Sequence, residues 1–147
     1  MGLREQLTDG MKEAMRARDE VRLSTIRLVR SAIKNKEIEA KRELDDQGIC
    51  EVVASLGKQR RESIRMFGEA GRQDLVEKEE RELAVLLGFL PRQLSREEIT
   101  ELASRVINEC GAQGGKDMGR VMKAMMPHVT GRADGKLVSD VVKELLA

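Results

Sequence analysis

Aromatic side chains are almost missing from this chain of 147 residues, which contains two Phe and neither Trp nor Tyr. A core must therefore be built from Leu, Val, Ile, Met and Ala. That set of residues favours helices, and the residues typical of strands are scarce. Charged residues make up 36% of the chain, above the usual quarter, as expected for helices with solvated outer faces. The sequence predicts an all-α fold.

Aliphatic residues recur every three to four positions through most of the chain, which is the spacing of one face of an α-helix. Two prolines mark expected helix ends. Pro91 closes the fourth predicted helix and Pro127 the sixth, because proline lacks the N–H that an interior position uses. The predicted helices span residues 3–16, 21–44, 49–68, 73–90, 95–110, 117–126 and 134–146.

The segment Pro91–Leu94 separates two groups of predicted helices. The four helices before it are joined by short breaks, which favours antiparallel packing. After it, Ser95 and Glu98 have the spacing of a capping box, in which each side chain accepts a hydrogen bond from the backbone N–H of the other residue. We predict an N-terminal helical bundle, residues 1–91, followed by a small three-helix C-terminal domain, residues 95–147.

Residue types that form catalytic and metal centres are few and scattered. The one histidine, His128, follows a proline in what we predict to be a surface loop, without a neighbouring nucleophile. Cys50 and Cys110 lack the spacing of a zinc site and are predicted to be free thiols. The glycine-rich segment 111–116 differs from a phosphate-binding loop because Asp117 follows its lysine. The sequence predicts no catalytic residue, no cofactor and no metal site.

The amino-terminal segment is charged from Arg4 onward and lacks the apolar stretch of a secretory signal. No apolar run approaches the roughly 20 residues that cross a bilayer. Free thiols are typical of a reducing compartment. We therefore expect a cytoplasmic protein that makes no membrane contact.

Positive charge is concentrated in three segments, although the net charge of the chain is only +1. Residues 16–42 contain nine Lys/Arg against four Asp/Glu, residues 58–65 four against one, and residues 116–136 five against two. Segregated positive charge is typical of surfaces that contact phosphate backbones, while the shortage of aromatic residues argues against base stacking. The candidate RNA-binding residues are Lys58, Arg60, Arg61, Arg65, Lys116, Arg120, Lys123, Arg132 and Lys136.

Four methionines follow helical spacing near the second proline: Met118, Met122, Met125 and Met126. A stripe of this kind is more often packed in a core than used for binding, but flexible methionines also suit a partner helix. The methionine spacing is compatible with core packing and with a partner-binding surface.

Four segments resemble the YqeY family. They are KQRRES (58–63), LPRQLSREEI (90–99), DMGRVMKAMMP (117–127) and GRADGKLVSDVVKELL (131–146). That family is similar to the C-terminal tail of the B subunit of the tRNA-dependent amidotransferase. The resemblance implies a two-domain helical fold and a link to tRNA, through the basic residues inside the matching segments. It also implies an activity, carbon–nitrogen ligation with glutamine as the amido-N donor.

Three functions follow as expectations. The first is a non-catalytic, tRNA-interacting helical module, whose partners are tRNA and an aminoacyl-tRNA-forming or amidotransferase enzyme. The second is a component of a carbon–nitrogen ligase that uses glutamine in tRNA-dependent amidation. The third is a protein–protein interaction module that uses the methionine stripe.

Overall fold

A computed structural model describes residues 2–147. This range contains seven α-helices and one short 3-10 turn, without a strand, which confirms the predicted all-α fold. In chain order the helices are α1 (Leu3–Ala17), α2 (Glu20–Ala40), α3 (Asp46–Glu69), α4 (Gln73–Leu87), α5 (Arg96–Cys110), α6 (Met118–Val129) and α7 (Gly135–Leu146), and the 3-10 turn Gly115–Asp117 precedes α6.

Backbone contacts divide the chain into two compact units, one ending at Pro91 and one spanning Arg92–Ala147. This division lies close to the predicted domain boundaries. That each unit is an independent domain stays a prediction. No helix among residues 2–147 is both long and apolar enough to cross a lipid bilayer.

The first unit consists of α1–α4, with the most extensive contact between α3 and α4. Its hydrophobic core takes side chains from all four helices and the turn after α4: Leu7, Ile26, Val29, Ile33, Ile49, Val53, Leu56, Leu86 and Phe89. Helix α1 approaches its neighbours closely at Gly10, which is buried. A Cβ atom there would lie 3.2 Å from side-chain carbons of Ile26 and Phe89, so even alanine would require these side chains to shift by a few tenths of an ångström.

Two helices of this unit end earlier than predicted. Helix α2 stops at Ala40 rather than residue 44, because the Glu37 carboxylate accepts a hydrogen bond from the Leu44 N–H at 2.8 Å and draws the chain out of the helix. Helix α4 stops at Leu87, because the N–H of Phe89 bonds the carbonyl of Leu86 in a tighter turn. That turn places the Phe89 ring in the core, where the side chain is 6% exposed.

Helix α3 begins earlier than predicted, at Asp46. The Asp45 carboxylate caps it by accepting a hydrogen bond from the Gly48 N–H at 2.8 Å. Residues 46–48, which lie between the predicted helices 21–44 and 49–68, therefore belong to the first turn of α3, and Asp45 caps it.

The second unit packs α5, α6 and α7 around one core. Its buried side chains are Ile99, Ala103, Val106, Val121, Met125, Val129, Val138, Val141, Val142 and Leu146. The predicted capping box is confirmed at the start of α5: Ser95 Oγ accepts from the Glu98 N–H, and the Glu98 carboxylate accepts from the Ser95 N–H, both at 3.1 Å.

The prediction that Pro127 ends the sixth helix is wrong. Helix α6 continues through it to Val129, so His128 lies in the last helical turn and not in a loop. Burial of Val129 in the core favours this extra turn and offsets the loss of the intrahelical hydrogen bond that Pro127 cannot donate. The chain then reverses at Gly131, whose positive φ of 74° favours glycine.

Candidate nucleic-acid interface

The nine candidate residues lie in both units. Four are on α3: Lys58, Arg60, Arg61 and Arg65. The other five belong to the second unit, on the 3-10 turn, on α6 and around the start of α7.

Arg60 lies on the core-facing side of α3, one turn beyond Leu56. Its Nε atom is 2.8 Å from a carboxylate oxygen of Glu82 and 3.4 Å from one of Glu79, both on α4. These contacts lack hydrogen-bond angles, so the attraction is between charges. All three side chains are 17% exposed. Arg60 therefore holds α3 against α4 and presents little charge to a ligand.

Arg65 is exposed, but its guanidinium is already paired with two carboxylates of the same helix. Its guanidinium donates to Glu62 and to Glu69 at 3.0 Å each, and these two bonds raise its pKa. Lys58 is exposed and Arg61 half-buried, and neither forms an ion pair within the range 2–147. The α3 cluster thus contributes two uncompensated cations.

The second unit arranges its basic residues differently. Lys116, Arg120 and Lys123 are spaced at i, i+4 and i+7 along the 3-10 turn and α6, and all three are exposed. The opposite side of α6 is buried through Val121 and Met125. We call these three cations the α6 basic face. Helix α6 itself contains no Asp or Glu.

One acid does touch the α6 basic face. Asp117 lies 3.2 Å from the Arg120 guanidinium, which also donates to the Cys110 carbonyl at 2.9 Å. The pKa of Asp117 is lowered, mainly by the hydrogen bond from the backbone N–H of Gln113 and further by the positive charge of Arg120. Asp117 is therefore ionised and holds Arg120 in place, while Lys116 and Lys123 have no ion-pair partner in the part of the chain that the structure describes.

Arg132 and Lys136 lie apart from that row of cations. Arg132 is half-buried and lines a hollow of about 260 Å³ together with Arg105, His128 and Glu101. Lys136 is exposed in the first turn of α7. Neither side chain has an ion pair from Gly2 to Ala147.

The methionine stripe is mainly core. Met125 is fully buried, and Met118 and Met122 pack against the same cluster. Met126 alone is exposed, at 50%. The interpretation of this stripe as core packing is confirmed.

The two cysteines are free thiols, as predicted. Cys50 is buried, and burial raises the pKa of its thiol. No group of three or more His, Cys, Asp or Glu among the described residues is placed to hold a metal ion.

The nine candidates omit a further basic surface. Helices α1 and α2 enclose a groove of about 480 Å³ lined by Arg30 and Lys34. The signal was present in the sequence as the excess of positive charge over residues 16–42. The individual residues could not be selected, because the groove exists only once α1 packs on α2.

Several curated proteins are similar to this chain. It is 41% identical over 107 residues to altered inheritance of mitochondria protein 41, mitochondrial, from Kluyveromyces lactis, covering 70% of this chain and 57% of that protein. The protein of the same name from Pyrenophora tritici-repentis is 33% identical over 145 residues, covering 96% of this chain and 79% of the relative. The Saccharomyces cerevisiae protein is 38% identical over 85 residues, with 57% and 46% covered. The chain spans about half the length of the first and third relatives.

These relatives are named as mitochondrial proteins, which contradicts the cytoplasmic location expected from the sequence. That expectation rested on free thiols and on the lack of an apolar signal segment or membrane-spanning run. Mitochondrial targeting segments are amphipathic and rich in arginine, so this criterion does not detect them.

A family model described as Yqey-like protein matches residues 4–146. The match covers nearly all of both units and confirms the resemblance noted in four short segments. Together with 33% identity over 145 residues to the Pyrenophora relative, it shows that the chain belongs to the YqeY-like protein family.

Proposed function

We propose that this protein is a tRNA-interacting helical module that contacts phosphates through the α6 basic face. The observation that supports the proposal is that Lys116 and Lys123 are exposed and form no ion pair among residues 2–147, and that α6 itself contains no acid. Such cations release counterions when they meet a phosphate backbone, and this release drives binding.

The arrangement suits recognition by shape and charge. The cations follow one side of a helix at a spacing of about one turn, which lets neighbouring side chains reach successive phosphates. The chain has only two aromatic residues, so base stacking contributes little. A folded RNA presents closely spaced phosphates without requiring bases to unstack.

Charge reversal at Lys123 tests the proposal. Lys123→Glu should weaken tRNA binding about tenfold. It should also reduce the magnitude of the negative slope of log binding constant against log salt concentration by about 1, because one phosphate contact is lost. Lys143→Glu is the matched control, since Lys143 is also exposed, lies in the same unit and undergoes the same charge change. Filter binding over a series of salt concentrations measures both quantities, and circular dichroism checks helicity. Equal affinities for the two variants would contradict the proposal.

The other two expected functions have less support. The ligase activity stays a prediction, which an assay of the purified chain for glutamine hydrolysis with and without tRNA would test. The interaction module relied on the methionine stripe, and only Met126 of that stripe is exposed.

A further inference from the structure

The groove between α1 and α2 has an apolar floor and a charged rim. Leu7 and Ile33 are buried at its base, and its volume is about 480 Å³. It belongs entirely to the first unit and lies within the basic segment 16–42 on its α2 side.

One acid, Glu37, lines the groove, and its charge is balanced by Arg4. The Glu37 carboxylate accepts hydrogen bonds from Arg4 at 2.7 Å and from the Leu44 N–H at 2.8 Å. The pKa of Glu37 is lowered, mainly by the hydrogen bond from the Leu44 N–H and next by the hydrogen bond from Arg4. Glu37 is therefore ionised and balances Arg4. The α1 acids Glu5 and Asp9 line a different, adjoining hollow.

Two cations remain without a carboxylate partner. Arg30 and Lys34 are one turn apart on α2, exposed, and without an ion pair within residues 2–147. Arg30 donates to the thioether sulfur of Met11 at 2.9 Å. Sulfur is a weak acceptor without a formal charge, so this contact positions the guanidinium but does not neutralise it. The Ser31 hydroxyl also lines the groove and has no hydrogen-bond partner in the described structure.

We propose that this groove binds phosphate oxyanions, with Arg30 and Lys34 as the charged ligands and Ser31 as a further donor. Two uncompensated charges one turn apart suit an anion with several charged oxygens better than a single carboxylate, and a guanidinium presents paired donors to phosphate. The chemistry fits phosphodiesters of RNA or a free pyrophosphate. The RNA source rests on the function proposed above and makes the groove a second contact besides the α6 basic face.

The first arm of the test measures tRNA affinity of the full chain. Lys34→Glu should weaken tRNA binding about tenfold and reduce the magnitude of the slope of log binding constant against log salt concentration by about 1. Lys36→Glu is the control on the same helix: Lys36 is exposed, lies 4.0 Å from the Glu39 carboxylate and lines a different hollow. It should change affinity less than about twofold. Equal effects of the two variants would overturn RNA binding by the groove.

The second arm uses inorganic pyrophosphate alone, titrated into the full chain and followed by backbone amide shifts in NMR spectra. Saturable shifts at residues 30–34 that disappear in Lys34→Glu and persist in Lys36→Glu would support the oxyanion site. If the groove responds to pyrophosphate while Lys34→Glu leaves tRNA affinity unchanged, the source is a free phosphate compound and the RNA contact is overturned. If neither arm responds, the whole inference is overturned.

The two arms separate this inference from the proposed function. A chain that binds no tRNA but shows pyrophosphate shifts at residues 30–34 refutes the proposed function and leaves the groove as an oxyanion site. A chain that loses tRNA affinity with Lys123→Glu but not with Lys34→Glu supports the α6 basic face and refutes the groove as an RNA contact.

Discussion

The basic residues of α3 and those of the α6 basic face look alike in the sequence and differ in the structure. On α3, Arg60 and Arg65 are surrounded by carboxylates, two of them from the neighbouring helix α4, which leaves Lys58 and Arg61 as the α3 candidates without an ion pair among residues 2–147. On the second unit's surface, Asp117 pairs with Arg120 and attracts Lys116, but neither Lys116 nor Lys123 forms an ion pair among residues 2–147. A local excess of Lys and Arg therefore does not by itself make a binding surface, because packing decides where the acids lie.

The largest expected effect concerns the buried side of α6, which orients its basic face. Met125→Ala should lower the free energy of unfolding by about 3 kcal/mol, since it leaves a cavity at a fully buried position. Met126→Ala removes the same atoms from an exposed position and should cost less than about 0.5 kcal/mol. Urea unfolding measures both. Similar values for the two variants would mean that α6 does not pack as described.

Next in size is the effect of Arg60. Arg60→Leu should destabilise the protein by about 2 kcal/mol, because Glu79 and Glu82 are left together and mostly buried without a cation. Adding Glu79→Gln and Glu82→Gln should recover at least half of that loss. Arg61→Leu, on the same helix and without an acid partner in the described structure, is the control. If Arg60→Leu and Lys123→Glu lost tRNA affinity equally, the distinction between the paired arginines of α3 and the α6 basic face would be contradicted.

A smaller effect concerns the one acid that touches the α6 basic face. Asp117→Asn should tighten tRNA binding about threefold, because Arg120 is released and one negative charge is removed. Asp140→Asn makes the same charge change at an exposed position of α7 and serves as the control. Filter binding distinguishes them, and an unchanged affinity in Asp117→Asn would exclude Arg120 from the contact.

The smallest effect is a pH dependence at the start of α5. The Arg92 guanidinium is the main cause, and the Ser95 N–H the next, that lower the pKa of Glu98 from 4.5 to about 2. Because the pKa of Glu98 is lower in the folded protein than in the unfolded chain, the ionised carboxylate stabilises the fold. This contribution is complete above pH 4.5 and is lost as the pH falls towards about 2. Glu98→Gln should show a shallower fall of stability over that range in urea titrations. An identical pH profile would mean that this exposed pair contributes nothing measurable.

Features that depend on neighbours in the chain could be predicted from the sequence. The helices follow from periodic aliphatic residues, and the capping box from the spacing of Ser95 and Glu98, because helical hydrogen bonds join residues three and four apart. The row formed by Lys116, Arg120 and Lys123 follows for the same reason. The end of α6 could not be predicted, because core burial of Val129 outweighed the proline before it.

The sequence by itself determined that this protein is helical and which helix surfaces bear positive charge. The tertiary structure alone decided which of those charges are neutralised and that Arg30 and Lys34 line a groove. The reason is physical: helix formation is local, whereas the energy of a charge depends on groups within a few ångströms that packing brings from distant parts of the chain.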